Sequence, residues 1–354
     1  MTFFTQHFIQ DRAMVDVLNE LVVEAEKYSV ADTYISGGVV DVLEDKIRAL
    51  TGFDAAAFFI TGTQAQQIAL RIHTVENRRS KFVGVHRVSH LVWNENNAMM
   101  DVSGLGMMMI GTEDTQFTSA DLDGHENDIG ALSIEIPLRN TGGELLPWDE
   151  LVKISKWCRH HNIPLHMDGA RLWESQPFYD RSLSDICALF DSAYLSFYKG
   201  LGAPAGAILL GTDYMITRAR EWRHRYGGNM FTAFPYALGA LKGVAEQLPT
   251  MVQRHERAKK LAAMFNALEG VSTYPEIPHA NLFRVQVHAS EARVEHAATQ
   301  LFEATGVRLF RAIRSTLLPT KADCTEFEIH VGQNTLTYSE DESRSLITAF
   351  HGAL

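Results

Sequence analysis

Between residues 55 and 211 the chain repeats short apolar runs of strand length: AAAFFI (55–60), KFVGVH (81–86), GMMMIG (106–111), ALSIEIP (131–137), PLHMDG (164–169), DSAYLSFY (191–198) and GAILLG (206–211). Their apolar positions are contiguous rather than alternating with polar ones, which predicts strands buried on both faces, as in a mostly parallel sheet. Helical spacing falls between several of them, as in TQAQQIALRIH (63–73) and PWDELVKISKWCRHH (147–161), the second opening on a proline where a helix tolerates one. Ahead of the first strand, DVLEDKIRAL (41–50) sets Val42, Leu43, Ile47 and Leu50 on one helical face, which is expected to pack on the sheet. Strands alternating with helices define an α/β fold class.

After residue 212 the pattern changes. A long helical stretch leads to strand-like NLFRVQVH (281–288), a helix near 291–304, strand-like VRLF (307–310) and FEIHV (327–331), and a closing helix. A chain of 354 residues exceeds what one hydrophobic core usually organises. The expected division is an N-terminal arm or helix (1–40), a large domain (41–244) and a smaller C-terminal α/β domain (245–354). No internal repeat or Pro/Gly/Ser-rich linker interrupts the chain, so the two domains are expected to pack closely.

Composition narrows the possible partners. Hydrophobic residues make up 46% and charged residues 21%, as in ordinary soluble globular proteins. The formal net charge of −11, with no basic run, argues against a nucleic-acid footprint. Cys158, Cys187 and Cys324 are too few and too widely spaced for a disulfide framework or a cysteine zinc site, and a reducing cytoplasm is expected. The opening MTFFTQHFIQDRAM has no basic stretch followed by an apolar one, and no apolar run reaches membrane-spanning length, so neither export nor a membrane partner is expected.

Several polar residues stand where the strand-like runs end. Lys199, in SFYKGLGAPAG, follows one such run between glycines that permit close backbone approach. A lysine attacks a carbonyl only when neutral, which needs a dry or cation-rich pocket. Taken alone, such a lysine is more often a surface residue at a strand end. Asp168 closes PLHMDG, where a carboxylate could keep a proton on a cofactor's ring nitrogen or cap the helix that follows. Arg171, in DGAR, has the forked geometry to clamp a substrate carboxylate, or is an ordinary surface arginine. Thr61-Gly62-Thr63-Gln64 joins a strand to a helix and offers backbone amides to a phosphate, or is a plain turn. His90, in RVSHLVWNE, has an imidazole suited to moving protons near neutral pH, or is a buried histidine satisfied by hydrogen bonds.

Taken in order, ITGTQAQ (60–66), VSHLVWNE (88–95), GGELLPWDEL (142–151), LHMDGARL (165–172), YKGLGAPAGAILLG (198–211) and EWRHRYGG (221–228) resemble the L-threonine aldolase family, part of the β-eliminating lyase group of fold type I enzymes that use pyridoxal 5'-phosphate (PLP). The resemblance spans roughly residues 40–240. It implies a fold type I PLP-dependent transferase-like architecture, with a mostly parallel seven-stranded sheet in the large domain and a smaller C-terminal α/β domain. It implies PLP as the cofactor, held as a Schiff base on Lys199, with Asp168 as the pyridinium partner, Gly62 and Thr63 at the phosphate, His90 stacked on the ring, and Arg171 on the substrate carboxylate. Lys199, His90 and Asp168 would form the catalytic set. The implied reaction splits a β-hydroxy-α-amino acid, threonine or allo-threonine-like, into glycine and an aldehyde. The same machinery also serves β-elimination on another small amino acid, or PLP binding without turnover. A homo-oligomer, tetramer or dimer, is implied as well.

The chain departs from the family pattern in four places. No Ser-Asp-Thr stretch occurs near the N-terminus, and Glu135-Ile136-Pro137-Leu138-Arg139-Asn140 stands where a histidine often follows a Glu-Asn pair. Glu326 takes the place of a second carboxylate-binding arginine, for which Arg311 or Arg314 are the available substitutes. Phe231 and Thr232 replace an arginine after GGNM. Two competing motifs fail on context. Gly200-Leu201-Gly202-Ala203-Pro204-Ala205 fits a dinucleotide-binding G-x-G-x-x-G/A string but runs into a strand instead of a helix. His160-His161 and DLDGHEND lack metal-ligand spacing, so no metal is expected.

Overall fold

A computed structural model describes residues 2–6, 11–77, 80–314 and 324–354. Part of the N-terminal stretch that lacks Ser-Asp-Thr, residues 7–10, lies outside the described residues. Strand β1 is Thr2–Phe3. The seven apolar runs form β2 (Ala55–Phe59), β3 (Phe82–His86), β4 (Gly106–Ile110), β5 (Ala131–Glu135), β6 (Leu165–Gly169), β7 (Ser192–Ser196) and β8 (Ala207–Gly211). They join into one sheet of order β2-β8-β7-β6-β5-β3-β4. Pairing is parallel from β7 through β6, β5 and β3 to β4, whereas β8 runs antiparallel to both β7 and β2. Two reversals restore the direction of β2, so β8 alone runs backwards. The loops after β2, β3, β5, β6 and β7 therefore open on one edge of the sheet, where ligands collect in open α/β folds.

Burial follows position in the sheet. Strands β5 to β8 are buried throughout, while β4, at the edge, is half-buried over Gly106–Met109. The helix over Gly38–Thr51 packs on the sheet through Val39, Val40, Leu43 and Ile47. Val42, expected on this face, is 44% exposed. Val39 and Val40 set the face, and at 100° per residue Val42 falls about 200° round the helix from Val40.

The C-terminal part has its own core. Strands β9 (Val271–Tyr274), β10 (Leu282–Val287), β12 (Ile313–Arg314) and β13 (Thr325–His330) form an antiparallel sheet of order β12-β13-β10-β9. From the run VRLF only Val307–Arg308 is a strand, β11, and it pairs in parallel with β1 instead of joining this sheet. Residues 2–6 are thereby tied to the C-terminal part. Phe4 is buried in its core, and His330 N donates to Thr5 Oγ1 at 3.0 Å. The period of two along β13 turns Phe327 and Ile329 into that core and Glu326, Glu328 and His330 to the opposite face. Among the described residues no helix is long and apolar enough to cross a membrane.

Phe327 stacks on Phe310 at 4.0 Å between ring centroids and meets Phe265 and Phe350 edge-on. Phe327→Ala should cost about 3–5 kcal/mol, the range for deleting a fully packed aromatic. Denaturant unfolding of the purified variant checks this, and a loss below about 1 kcal/mol would show that the second core does not depend on this cluster.

Candidate active site

Lys199 sits in the connection that reverses the chain between β7 and β8. Phe197 N donates to Gly206 O (3.0 Å), Ala203 N to Phe197 O (2.9 Å) and Gly202 N to Lys199 O (3.1 Å), so the turn is closed by its own backbone. Gly202 has φ +71°, a conformation that disfavours any side chain. Gln6 Nε2 donates to Lys199 O at 3.2 Å and ties the turn to the N-terminal residues. Burial, and then the charge of Arg171, bring the Lys199 ammonium down to about 8, with Asp168 and Glu135 opposing.

Asp168 and Arg171 lie at the end of β6, next to β7. In the parallel register Glu135 pairs with Asp168, and Asp168 with Tyr194, so three strands deliver polar groups at one level. Asp168 is buried and accepts one hydrogen bond, from Ala170 N at 3.3 Å. It does not cap the next helix, which begins at Leu172 with Arg171 in the N-cap position. Ser196 Oγ donates to Ala170 O (2.7 Å) and Trp173 Nε1 to Ser196 O (2.9 Å), fixing this turn against β7. Arg171 is buried, not at the surface, and its Nε has no protein partner. Burial and the neighbouring Arg139 lower its affinity for protons.

The turn after β2 starts the helix Gly62–Arg71, with Thr61 accepting from Gln64 N at 3.4 Å. A Cβ on Gly62 would lie 2.0 Å from the Tyr194 hydroxyl oxygen, so only glycine lets this helix start pack on β7. Thr63, next in line, is exposed on the same first turn. His90 opens a short helix, His90–Trp93, and its backbone N donates to Glu135 Oε2 at 2.8 Å. Its ring keeps 34% exposure, and Nε2 lies 4.0 Å from Glu95 Oε1. Burial lowers the His90 pKa, Asp168 raises it, and Lys199, Arg171 and Arg139 add to the lowering. Lys199, Asp168, Arg171, Gly62, Thr63 and His90 lie in the loops and helix starts at one edge of the sheet.

Three carboxylates there had no assigned role in the sequence. Glu135 accepts from His90 N and Arg139 N, and burial followed by the charge of Asp168 pushes it up to about 7. Glu95 is also pushed to about 7, mainly by burial. Glu174 is completely buried beside the Lys199 turn, with neither oxygen hydrogen-bonded, and a Cβ on Gly200 would meet its Oε1 at 2.3 Å. Only tertiary burial distinguishes these groups from surface acids.

The missing arginines are accounted for by new pairings. Glu326 is neutralised by Arg284 (3.1 Å) and accepts from Gln286 (2.6 Å). Glu328 takes a two-pronged contact from Arg139 (3.2 and 3.0 Å) and a further one from Arg314 (2.8 Å). Its carboxyl is consequently held well below the usual range, against the cost of burial. Arg311 pairs with Asp11 and Gln6 O. Of the two possible substitutes, Arg314 therefore lies beside Arg139 and Arg171, and Arg311 is engaged elsewhere. Phe231 is 66% exposed and meets Tyr34 edge-on at 5.3 Å.

A sheet of this order, with an aspartate at the end of one strand and a lysine after the next, is the architecture of the fold type I PLP-dependent enzymes, and the fold likeness extends to a Sphingomonas wittichii serine palmitoyltransferase (TM-score 0.72, 14% identity). The chain belongs to the β-eliminating lyase family, whose sequence profile matches residues 11–289. A candidate L-allo-threonine aldolase from Listeria monocytogenes superposes with a TM-score of 0.93 at 34% identity, over 100% of this chain and 96% of that one. An aldolase of Penicillium aethiopicum, VrtJ, is 37% identical over 66% of this chain and 62% of its own length. A low-specificity L-threonine aldolase of Candida albicans is 31% identical over 62% of this chain and 60% of its own. The chain thus spans about three fifths of the length of these curated relatives.

The residues present fit PLP on their own chemistry. A near-neutral lysine suits an aldehyde, a buried carboxylate with spare acceptor capacity suits a protonated ring nitrogen, and the start of a helix suits a phosphate. Because its proton affinity is lowered, Lys199 should become nucleophilic as pH rises through about 8, well below an ordinary lysine. Acylation of cofactor-free protein followed by peptide mass spectrometry should place the Lys199 midpoint near 8; a midpoint near that of surface lysines would show that the pocket is not dry.

Proposed function

We propose that the chain is a PLP-dependent carbon-carbon lyase that cleaves a β-hydroxy-α-amino acid, threonine or allo-threonine-like, into glycine and an aldehyde. The observation that carries this is the near-neutral Lys199 set one strand away from buried Asp168. The family and the names of the relatives support it. When bound, PLP supplies an electron sink for the pair released from the Cα–Cβ bond.

The chain's own residues do the rest in this reading. Lys199 would hold the cofactor, Asp168 would keep a proton on its ring nitrogen, and the helix start at Gly62 and Thr63 would hold its phosphate. Arg171, with an Nε left without a protein partner, binds the substrate carboxylate, and Arg314 with Arg139 extends the positive wall. His90 covers the ring and accepts the β-hydroxyl proton. β-Elimination on another small amino acid is the second reading, favoured by Glu326 and Phe231 where substrate-recognition arginines are expected. Binding without turnover is disfavoured by the joint presence of Lys199 and Asp168.

Borohydride treatment of the PLP-loaded protein should fix the cofactor on the Lys199 peptide, and Lys199→Ala should lower turnover by at least about a thousandfold. Glycine and aldehyde should be released from threonine, allo-threonine or phenylserine. Ammonia and pyruvate from serine, without glycine, would establish the second reading instead.

We also propose a cytoplasmic homo-oligomer, dimer or tetramer. Met14, Leu18 and Val22 recur every four residues along the helix Met14–Ala25 and are 83%, 61% and 62% exposed, an apolar stripe that a second copy would cover. Leu18→Glu should shift the sedimenting species toward the single chain, and an unchanged distribution would remove this helix from the interface.

A further inference from the structure

We infer that Glu95 is a positioning residue for His90, orienting the imidazole and balancing the charge it acquires on taking the substrate's β-hydroxyl proton. This rests on the aldol-cleavage reading and deepens it. In that step the proton passes from the β-hydroxyl to the His90 ring nitrogen opposite the one that faces Glu95, and the hydroxyl oxygen becomes the aldehyde oxygen. An equivalent proton is returned to the α-carbon of glycine, so nothing is gained or lost overall.

The Glu95 carboxylate is held from behind. Gln67 Nε2 donates to Oε2 at 2.8 Å, and Gln67 Oε1 in turn accepts from Ser103 Oγ at 2.6 Å. Thr63, on the turn assigned to the phosphate, favours the ionised form of this carboxylate. The side chain has no exposure, yet Oε1 has no hydrogen-bond partner in the protein, and His90 Nε2 lies 4.0 Å from it. A buried acceptor left open beside a half-exposed imidazole is placed to receive an N–H from that ring and to balance its charge once it is protonated.

Glu135 cannot serve in its place. Its Oε2 accepts from His90 N and its Oε1 from Arg139 N, so it fixes the backbone of His90 and not the ring. The other groups facing His90 are Asp168 at the end of β6, Lys199 after β7, Arg171 at the following helix start, and Arg139 in the turn after β5. Three of these four are cations and oppose a protonated imidazole. Glu95 supplies a balancing charge at Nε2, the nitrogen opposite the one that takes the proton, as the buried aspartate of a Ser-His-Asp triad does at its histidine's other nitrogen.

Glu95 is pushed up to about 7, so it is protonated below that pH and ionised above it. Activity should fall on acidification through about 7, as the carboxylate loses its charge. In Glu95→Gln the fall should move at least about half a unit lower, since of this pair only His90, itself lowered, remains to titrate. kcat should drop about 10- to 100-fold with KM changed less than about twofold, while Glu95→Asp should restore the acid limb in part. Independently of turnover, the His90 ring resonances of cofactor-free protein should show an inflection near 7 that is absent from Glu95→Gln. If that variant does not fold, a displaced inflection in Glu95→Asp supports the pairing and an undisplaced one overturns it. An unchanged acid limb together with an unchanged His90 inflection overturns the inference. A wild-type protein that releases no glycine overturns the aldolase reading instead, and leaves the His90 inflection as the test of the pair.

Discussion

A lysine that is to hold an aldehyde must shed its proton near neutral pH, and here that constraint governs how charge is arranged from Glu135 to Lys199. Desolvation alone would lower Lys199, but a bare dry pocket cannot also hold an anionic cofactor and a carboxylate substrate. The structure meets both needs by mixing burial with cations. Arg171 and Arg139 disfavour the ammonium, while Asp168 and Glu135 limit how far it falls, leaving Lys199 at about 8. The sheet makes this possible. Because β8 alone runs backwards, the ends of β2, β5, β6 and β7 face the same edge, and parallel register sets Glu135, Asp168 and Tyr194 at one level.

The second unit completes the electrostatics. The face of β13 turned away from its own core presents Glu326, Glu328 and His330, and Arg139 from the large sheet reaches Glu328 with both prongs. Two guanidiniums share this one carboxylate, which leaves positive charge on the wall near Arg171. Burying such groups is costly unless each is paired and hydrogen-bonded, and breaking a buried pair typically costs about 3–5 kcal/mol. The same contacts that tune the site therefore also hold the two units in register.

Much of this was legible in the sequence, and the division between legible and hidden has a physical origin. Contiguous apolar runs marked all seven strands of the large sheet, because strands covered on both faces need no polar alternation. Strands β9 and β12 were not marked: they are four and two residues long, and the buried positions of β9 alternate. Lys199, Asp168, Arg171 and His90 stood out by residue type at strand ends and by their order along the chain. Glu95, Glu135 and Glu174 did not, since an acidic residue is by default a surface residue and nothing local announces its burial. Val42 was misplaced because two valines just before the chosen window set the buried face.

Glu174 shows why those hidden acids belong to the same scheme. Fully buried, with no hydrogen bond to either oxygen, it would be a pure loss if its surroundings were apolar. Its field instead comes from Arg171, Arg254 and Lys199, all of which favour its ionised form against a burial cost that raises its pKa. Arg254 Nη1 donates to Gly200 O at 3.0 Å, and the Glu174 carboxylate leaves room for nothing larger than glycine at position 200. The residue after Lys199 is thus clamped between an arginine and a carboxylate.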